Sequence, residues 1–393
     1  MSDPTPRPAA GQGARHASGY AVNGVPTAPP VAAKGPRTRT AVIVWTIIGL
    51  VLLTQLLVVV FAYLVLALGP ELVAISALLA LVPLAIVLMA ATWIDAWEPE
   101  PWAAKAFAFL WGAAAAITIA LLFDIGQRVF TPIPESSVLS AVVRAPLVEE
   151  SAKGAALLIL VFAVRRTFDG PIDGIVYAAF TAGGFAFVEN IQYFGTALHD
   201  GGASQAATVF VLRALFSPFA HVLFTSCTGL ALGLAARRRG VIGVLGAFVV
   251  GVVAAATLHA VWNLAGYLGF WGVYLFFEFP IFVVAVVTVV LLRVREQHLT
   301  RDRLAEYGRA GWFTFDEVAL FGTRAGRRSI RRWARTKGGD APSIVRSMVR
   351  DTTRLAIDRQ RIITDAADAG TAAEESVLLG RITASRNRLR SLG

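Results

Sequence analysis

The sequence predicts an all-α integral membrane protein, a bundle of about eight transmembrane helices followed by a cytoplasmic, Arg-rich helical tail. Two features of its composition favour this fold class: the 393 residues are 56% hydrophobic and only 16% charged, and the mean hydropathy is +0.63. Soluble domains seldom have so apolar a composition. The third observation is that the apolar residues form runs of about 18 residues or more, long enough to cross a hydrocarbon core about 30 Å thick.

Composition divides the chain into three segments. Residues 1–40 are rich in Pro, Gly, Ala and Ser, which predicts a disordered cytoplasmic arm without the apolar core of a cleavable signal peptide. Residues 41–293 hold the apolar runs, and we expect them to form the transmembrane bundle. Residues 294–393 are polar and Arg-rich, with helical patterns over Ile344–Ile363 and Ala372–Leu392. We expect this tail to be a small helical unit or a surface that lies on anionic lipid.

Eight apolar runs meet the length criterion for a membrane span. They are Ala41–Leu68, Leu72–Ala91, Ala106–Phe123, Val138–Val164, Ile175–Leu198, Val209–Leu234, Val241–Leu268 and Val273–Leu292. The third run is short, and the fourth is interrupted by charged residues. An even number of spans places both termini on the same side of the membrane.

The basic residues predict which side that is. They lie in the N-terminal arm and after the fourth, sixth and eighth runs, at Arg165, Arg166, Arg237, Arg238, Arg239, Arg293 and Arg295. The opposite loops are nearly free of Lys and Arg, so the positive-inside rule predicts a multi-pass protein of the cell membrane with both termini cytoplasmic. This asymmetry accounts for the net charge of +10 without a nucleic-acid partner. The single cysteine, Cys227, excludes an internal disulfide and a cysteine-cluster metal site.

Polar residues inside four of the spans are the candidate functional residues, because charged groups within a membrane are costly. They are Glu149, Glu150 and Lys153 in EESAK, Phe185, Glu189 and Asn190 in FAFVEN, Arg213 and His221 in RALFSPFAH, and His259 and Asn263 in HAVWN. At 1.5 Å of rise per residue, Glu150, Glu189 and His221 lie roughly 22–24 Å from the cytoplasmic boundary, and His259 lies roughly 30 Å from it. The similar depths predict one shared cavity that opens toward the outside.

The residue types in this predicted cavity suit hydrolysis of an amide. Glu149 and Lys153 are four residues apart and share a helix face, as do His259 and Asn263. Two carboxylates in different surroundings suit acid–base chemistry, and the Asn263 amide is a candidate donor to a developing oxyanion. One mechanism has Glu150 activate water with help from Glu149 and His221, without metal. In the other, His221, His259 and Glu189 bind a divalent metal such as zinc and leave a position open for water.

In their order and span placement, EESAK, DGIVYAAFTAGGFAFVEN (Asp173 to Asn190), RALFSPFAH and HAVWN resemble the PrsW family of intramembrane proteases. The resemblance covers roughly residues 95–263. It implies that Glu149, Glu150 and His221 are needed for activity. It also implies that the partner is a single-span membrane protein, typically an anti-sigma factor, which is cleaved on its outer side.

The chain is also similar, more distantly, to the CAAX-processing protease superfamily, whose pattern is a Glu pair, then Phe-x-x-x-His, then His-x-x-x-Asn. It departs from that pattern because Glu189 stands where the second motif has a histidine. Lys153, Arg213, Phe185 and Asn190 are interpreted as supporting or substrate-contacting residues.

Two other classes of protein are compatible with the same residues. An ion- or proton-coupled transporter or channel also places Glu, Lys and His inside a membrane. Such transporters often consist of two repeated halves, and we find no such repeat in the sequence. A non-catalytic scaffold would leave the full set of intramembrane polar groups unexplained. Structural interpretations of single residues also stay open, such as a buried Glu189–Arg213 pair and an interfacial position for Glu278.

Overall fold

The computed structural model describes residues 39–130, 138–165, 167–236, 240–364 and 371–392. The described residues contain helices and connecting turns but no strands. The predicted arm, residues 1–40, lies outside them except for its last two residues, as do the loop 131–137 and the basic residues Arg166 and Arg237–Arg239. Contacts divide the chain into two compact units, and the division falls between Arg295 and Glu296.

Among the described residues of the membrane unit, ten α-helices begin. They are α1 (Arg39–Leu68), α2 (Pro70–Ile94), α3 (Trp102–Leu110), α4 (Ile117–Phe130), α5 (Ala145–Ala163), α6 (Pro171–Phe210), α7 (Ala220–Ala236), α8 (Val241–Leu268), α9 (Phe270–Val273) and α10 (Phe279–Arg309). Four π-helical turns join or extend them, at Trp111–Ala116, Ser140–Arg144, Val211–Phe216 and Tyr274–Glu278. The predicted all-α membrane fold is confirmed.

Among the described residues, six helical segments are long and apolar enough to cross a membrane. They are Val44–Leu68, Pro70–Ile94, Trp102–Phe130, Pro171–Ala236, Val241–Leu268 and Phe270–Arg309. The segment Pro171–Ala236 contains two of the predicted spans. Helix α5 is not among the six, and it carries Glu149, Glu150 and Lys153, which lower its hydropathy. The protein is therefore a multi-pass membrane protein, and the count of eight spans stays a prediction.

Helix α6 is the centre of the membrane unit, since it packs against α2, α3 and α7. Glycines bring the helix backbones together at these contacts. A Cβ atom at Gly184 would lie 2.1 Å from the carbonyl oxygen of Phe109 in α3, and one at Gly174 would lie 1.9 Å from the carbonyl oxygen of Gly229 in α7. Close approach of small residues is how membrane helices pack without a hydrophobic driving force between them. Large apolar side chains on the outer surface stay exposed, as expected where lipid covers them.

The predicted sixth span, Val209–Leu234, differs from the structure because it is not one continuous helix. Helix α6 passes a kink at Gly202 (φ 63°, ψ −159°) and ends at Phe210, and the π-helical turn Val211–Phe216 follows. The backbone then leaves the helical path at Ser217, and α7 begins at Ala220. Pro218 is the physical reason, because it lacks an N–H group and disfavours helical geometry at the residue before it.

The described part of the C-terminal unit, from Glu296 onward, includes four further helices. They are α11 (Phe315–Gly322), α12 (Arg324–Lys337), α13 (Ala341–Ile363) and α14 (Thr371–Arg390). Its hydrophobic core includes Tyr307, Phe321 and Leu355, which are at most 1% exposed. The Thr314 side chain accepts a hydrogen bond from the Glu317 backbone N–H and caps the first turn of α11.

Candidate active site

The predicted site residues come together around one cavity of about 440 Å³ in the membrane unit. Its wall includes residues from α5, α6, the π-helical turn after α6, α7 and α8. These are Glu149, Phe185, Glu189, Arg213, His221, His259 and Asn263. Lys153 and Glu150 lie directly behind this wall and are 0% exposed. The motifs at four separate places in the sequence therefore form a single polar cluster.

Glu150 is the buried anchor of the cluster. Its Oε1 atom lies 2.6 Å from Lys153 Nζ and 3.0 Å from His259 Nδ1, and its Oε2 atom accepts a hydrogen bond of 2.8 Å from Thr225 Oγ1. Both carboxylate oxygens are thus engaged, and Glu150 does not line the cavity. A buried carboxylate needs such partners, because desolvation without them is costly. Its geometry suits holding Lys153 and His259 in place.

Glu149 has different surroundings, although it is the next residue in the chain. Its side chain is 15% exposed and lines the cavity. Its Oε2 atom is buried without a hydrogen-bond partner, at 3.7 Å from Lys153 Nζ and 3.9 Å from His259 Nδ1. A carboxylate oxygen that is buried, unpartnered and close to positive or potentially positive groups can take a proton, a water molecule or a metal ion. Glu149 is therefore the more accessible of the two carboxylates.

Glu149, His221 and His259 have the spacing of a metal-binding group. One ligand atom from each residue lies within 4.8 Å of the others. His259 uses Nδ1 for Glu150, which leaves its Nε2 atom as a ligand, and a carboxylate on the far ring nitrogen is the usual companion of a metal-bound histidine. Two imidazoles and one carboxylate are a donor set found at catalytic zinc sites. The residues present fit a divalent cation.

His221 connects the two halves of the cluster. Its Nδ1 atom lies 3.1 Å from Lys153 Nζ, and its Nε2 atom lies 2.8 Å from Glu189 Oε2. An ammonium group can only donate, so Nδ1 accepts from Lys153, and the ring proton on Nε2 is donated to Glu189. Phe185 supports both groups, since its ring lies 4.2 Å below Lys153 Nζ and 5.4 Å from the His221 ring.

Glu189 is engaged in an ion pair. Its Oε2 atom accepts a hydrogen bond from Arg213 as well as from His221. Arg213 also donates to Asn190 and stacks over the Tyr193 ring at 4.0 Å. The group with metal-ligand spacing contains Glu149 in the place where the sequence suggested Glu189. Glu189 and Asn190 thus fix the position of Arg213 at the cavity wall.

Asn263 lines the cavity but already makes one strong contact. Its Nδ2 atom donates a hydrogen bond of 2.8 Å to the carbonyl oxygen of Ala141, in the π-helical turn before α5. This bond ties α8 to the start of the helix that carries both glutamates. The second amide hydrogen is available to a ligand, because a primary amide has two donors.

Three neighbours of the cluster were not predicted from the sequence. Thr225, which donates to Glu150, lies four residues after His221 on the same face of α7, and that spacing could have identified it. Trp262 lines the cavity beside Asn263 but was not distinguishable from an ordinary apolar residue. Glu278, for which the sequence left an interfacial position open, is buried, with only 5% of its surface exposed.

Fold and site together define an all-α membrane protein with a buried Glu/His cluster inside its helical bundle. Residues 100–292 match the sequence profile of the PrsW family intramembrane metalloproteases. The matched stretch lies within the membrane unit, and the resemblance to the PrsW family predicted from the motifs is confirmed.

Two curated relatives carry the name Protease PrsW. The protein from Clostridioides difficile (strain 630) is 35% identical over 157 residues, which are 39% of this chain and 62% of the relative. The protein from Geobacillus kaustophilus (strain HTA426) is 33% identical over 143 residues, which are 36% of this chain and 58% of the relative. The chain thus spans about three fifths of the length of these relatives. No solved structure matches the chain.

Proposed function

We propose that this chain is an intramembrane protease that hydrolyses a peptide bond of a single-span, membrane-anchored protein. One observation carries the proposal: Glu149, His221 and His259 converge on one cavity in the unit whose sequence matches the PrsW family. Ionisable residues inside a membrane are functional candidates by default, because their burial is costly. A carboxylate without a hydrogen-bond partner beside two imidazoles suits the activation of water.

The residues around the cavity suggest how hydrolysis proceeds. Glu149 accepts a proton from a water molecule, the water oxygen bonds to the carbonyl carbon, and the carbonyl oxygen becomes negative. Arg213 and the free amide hydrogen of Asn263 line the cavity and stabilise that negative charge. The carbon–nitrogen bond then breaks, and the proton held by Glu149 passes to the leaving amine. Glu150 keeps His259 and Lys153 in position throughout.

The same three residues would hold a divalent cation such as zinc. A metal ion there would polarise the scissile carbonyl and lower the pKa of a bound water. The Oε2 atom of Glu149 supports this assignment, since it is buried at the cluster without a hydrogen-bond partner. His221 would exchange one of its present contacts, to Lys153 or to Glu189, for the metal.

The proposed substrate is an anti-sigma factor or a similar regulator, cut near the outer side of the cell membrane. Two arguments support this: the resemblance to the PrsW family, and the depth of the cluster. Glu150 lies about fifteen residues before the basic end of its helix at Arg165, which is roughly 22 Å of helical rise. With the termini cytoplasmic as proposed, this depth supports a position of the cluster in the outer half of the bilayer.

Cleavage of tagged single-span proteins in membranes tests the proposal. We expect wild-type protein to release a shortened fragment and Glu149→Gln to release none, because the amide cannot accept the proton from water. Glu71→Gln is the matched control, since Glu71 is an exposed carboxylate at the start of α2. It should cleave normally. If Glu149→Gln cleaves as fast as wild type does, Glu149 has no catalytic role.

Metal content separates the two candidate ligand sets. We expect His259→Ala and Glu149→Gln to lower bound zinc well below one equivalent, while Glu189→Gln keeps it. A strong chelator should abolish cleavage, and added zinc should restore it. Loss of zinc in Glu189→Gln with full retention in Glu149→Gln would favour the set His221, His259 and Glu189. Full activity of a metal-free preparation would refute the metal mechanism.

A further inference from the structure

A second pocket, of about 260 Å³, lies beside the cavity of the Glu/His cluster. It is formed between the helix break at Ser217 and the π-helical turn Tyr274–Glu278. Trp262 lines both spaces, so the two are neighbours that share this side chain as a wall. When a substrate segment is bound at the cluster, a neighbouring side chain of the same substrate can therefore reach this pocket.

Glu278 is the polar feature of this pocket. The residue is 5% exposed, it lines the pocket, and its Oε1 atom is buried without a hydrogen-bond partner. Glu278 lies about fifteen residues before Arg293 along one helical path, which is roughly 22 Å of rise and matches the depth of Glu150. A carboxylate at that depth without a partner is costly unless a ligand supplies one.

The walls of the pocket are aromatic. Phe216, Trp262, Tyr274, Phe279 and Phe282 line it, and among its described lining residues none carries a positive charge. The Tyr274 hydroxyl donates a hydrogen bond of 3.1 Å to the carbonyl oxygen of Phe216, which fastens the π-helical turn to the helix break. Aromatic faces attract cations, and the attraction grows when water is excluded. One buried carboxylate among such rings is complementary to an ammonium or guanidinium group.

We propose that this pocket binds a Lys or Arg side chain of the substrate close to the scissile bond, with Glu278 as its counter-charge. The inference rests on the proposed function, because it assigns the pocket to the protein that the Glu/His cluster cleaves. It makes Glu278 a specificity-determining residue. A basic residue in the outer juxtamembrane segment of the substrate would then be selected over a neutral one of similar length.

Photo-crosslinking tests the pocket without requiring cleavage. Two synthetic single-span peptides, identical except for Lys or Gln at the outer end of the apolar segment, carry a benzophenone group beside that position. Each is mixed with the full chain carrying Glu149→Gln, in nanodiscs of phosphatidylglycerol. We expect the Lys peptide to crosslink at least about tenfold more than the Gln peptide, since a factor of ten corresponds to about 1.4 kcal/mol. Adding Glu278→Gln should remove the preference, and adding the exposed-site control Glu71→Gln should keep it.

Three outcomes would overturn the proposal. Equal crosslinking of the two peptides would show that the pocket does not select a cation. A preference that persists in Glu278→Gln would assign the selection to another residue. Loss of the preference when phosphatidylethanolamine replaces phosphatidylglycerol would assign the pocket to a lipid amine. Crosslinking is measured in a variant that is expected to be inactive, so it does not depend on cleavage. Equal crosslinking of the two peptides would refute the pocket assignment but not the proposed protease activity. Absence of cleavage by the wild type would refute the protease activity but would not change the meaning of the crosslinking result.

Discussion

Glu149 and Glu150 are neighbours in the chain, but a substitution should affect them differently. Both oxygens of Glu150 are bonded to buried partners, whereas Glu149 has an oxygen free of hydrogen bonds at the cavity. We expect Glu149→Gln to accumulate in membranes like the wild type. Glu150→Gln should be depleted as well as inactive, because removing one member of a buried ion pair costs about 3–5 kcal/mol.

A double variant checks this explanation. Combining Glu150→Gln with Lys153→Met removes both charges of the buried pair, so no uncompensated charge remains. The double variant should accumulate better than Glu150→Gln alone, as measured by immunoblot of membranes and by the detergent-soluble folded fraction. Equal accumulation of Glu149→Gln and Glu150→Gln would show that the ion pair has no structural role.

Glu100, in the loop between α2 and α3, should make stability depend on pH. The Tyr177 hydroxyl lies 2.6 Å from its Oε2 atom, and burial together with the negative charge of Asp173 raises the pKa of Glu100 to about 10. Because the folded-state pKa lies above the ordinary value of 4.5, the stability linked to this group is complete below about pH 4.5 and declines as the pH rises toward 10. Each pH unit in that window weakens folding by up to about 1.4 kcal/mol.

The variant Glu100→Gln cannot ionise and keeps an oxygen that accepts from Tyr177. We expect its thermal midpoint in detergent to exceed that of the wild type at pH 9, with a difference that narrows toward pH 5. Tryptophan fluorescence or size-exclusion of heated samples measures the midpoint, and Glu71→Gln controls for the loss of a surface carboxylate. A difference that is the same at both pH values would contradict the linkage.

At the scale of elements, the contact between α6 and α3 depends on glycine. A Cβ atom at Gly184 would lie 2.1 Å from the Phe109 carbonyl oxygen and 3.0 Å from the Ala113 backbone nitrogen, so the helices would have to separate. Because α6 also carries Glu189, separation would disturb the site. We expect Gly184→Ala to destabilise the folded protein by about 1–3 kcal/mol. In Gly126→Ala the new methyl group has no atom within 4 Å, so the same measurement of folded fraction should show little change.

The π-helical turns are a second feature of the elements. Ala141, in Ser140–Arg144, accepts from Asn263, Arg213 lies in Val211–Phe216, and Glu278 ends Tyr274–Glu278. Each such turn inserts an extra residue and shifts the following side chains around the helix, which is why these turns are frequent at functional sites. Of the four π-helical turns described in the structure, three therefore contribute a residue that lines the cavity of the Glu/His cluster or the Glu278 pocket, or that binds a residue lining one of them.

At the scale of the whole molecule, the distribution of basic residues predicts the topology. Arg and Lys residues lie at one end of the predicted spans, and the opposite loops are nearly free of them. We expect reporter fusions at Gly393 and near Gly202 to report opposite sides of the membrane, with Gly393 cytoplasmic. Alkaline phosphatase and green fluorescent protein fusions measure this, since each is active on one side only. The same side for both positions would overturn the eight-span topology and the depth of the cluster.

The amino-acid sequence was sufficient to predict the class of fold and to select the candidate residues of the site. Long apolar runs can satisfy their backbone groups inside a bilayer only as helices or as closed barrels, and runs of this length indicate helices. Charged residues inside those runs were conspicuous for the same reason, so Glu149, His221 and His259 could be selected without coordinates. Their spacing within each helix also showed which of them share a face.

The contacts of each of these residues depend on how the helices pack against one another. Glu149 and Glu150 are the same residue type and cannot be distinguished by sequence. Because α7 and α8 pack against α5, Glu150 contacts Thr225 and His259, whereas Glu149 lines the cavity. Ligand spacing across separate helices has no sequence period, so the metal-type group with Glu149 could not be distinguished from one with Glu189. The burial of Glu278 depends likewise on a π-helical turn and a proline break from distant parts of the chain, which no local pattern encodes.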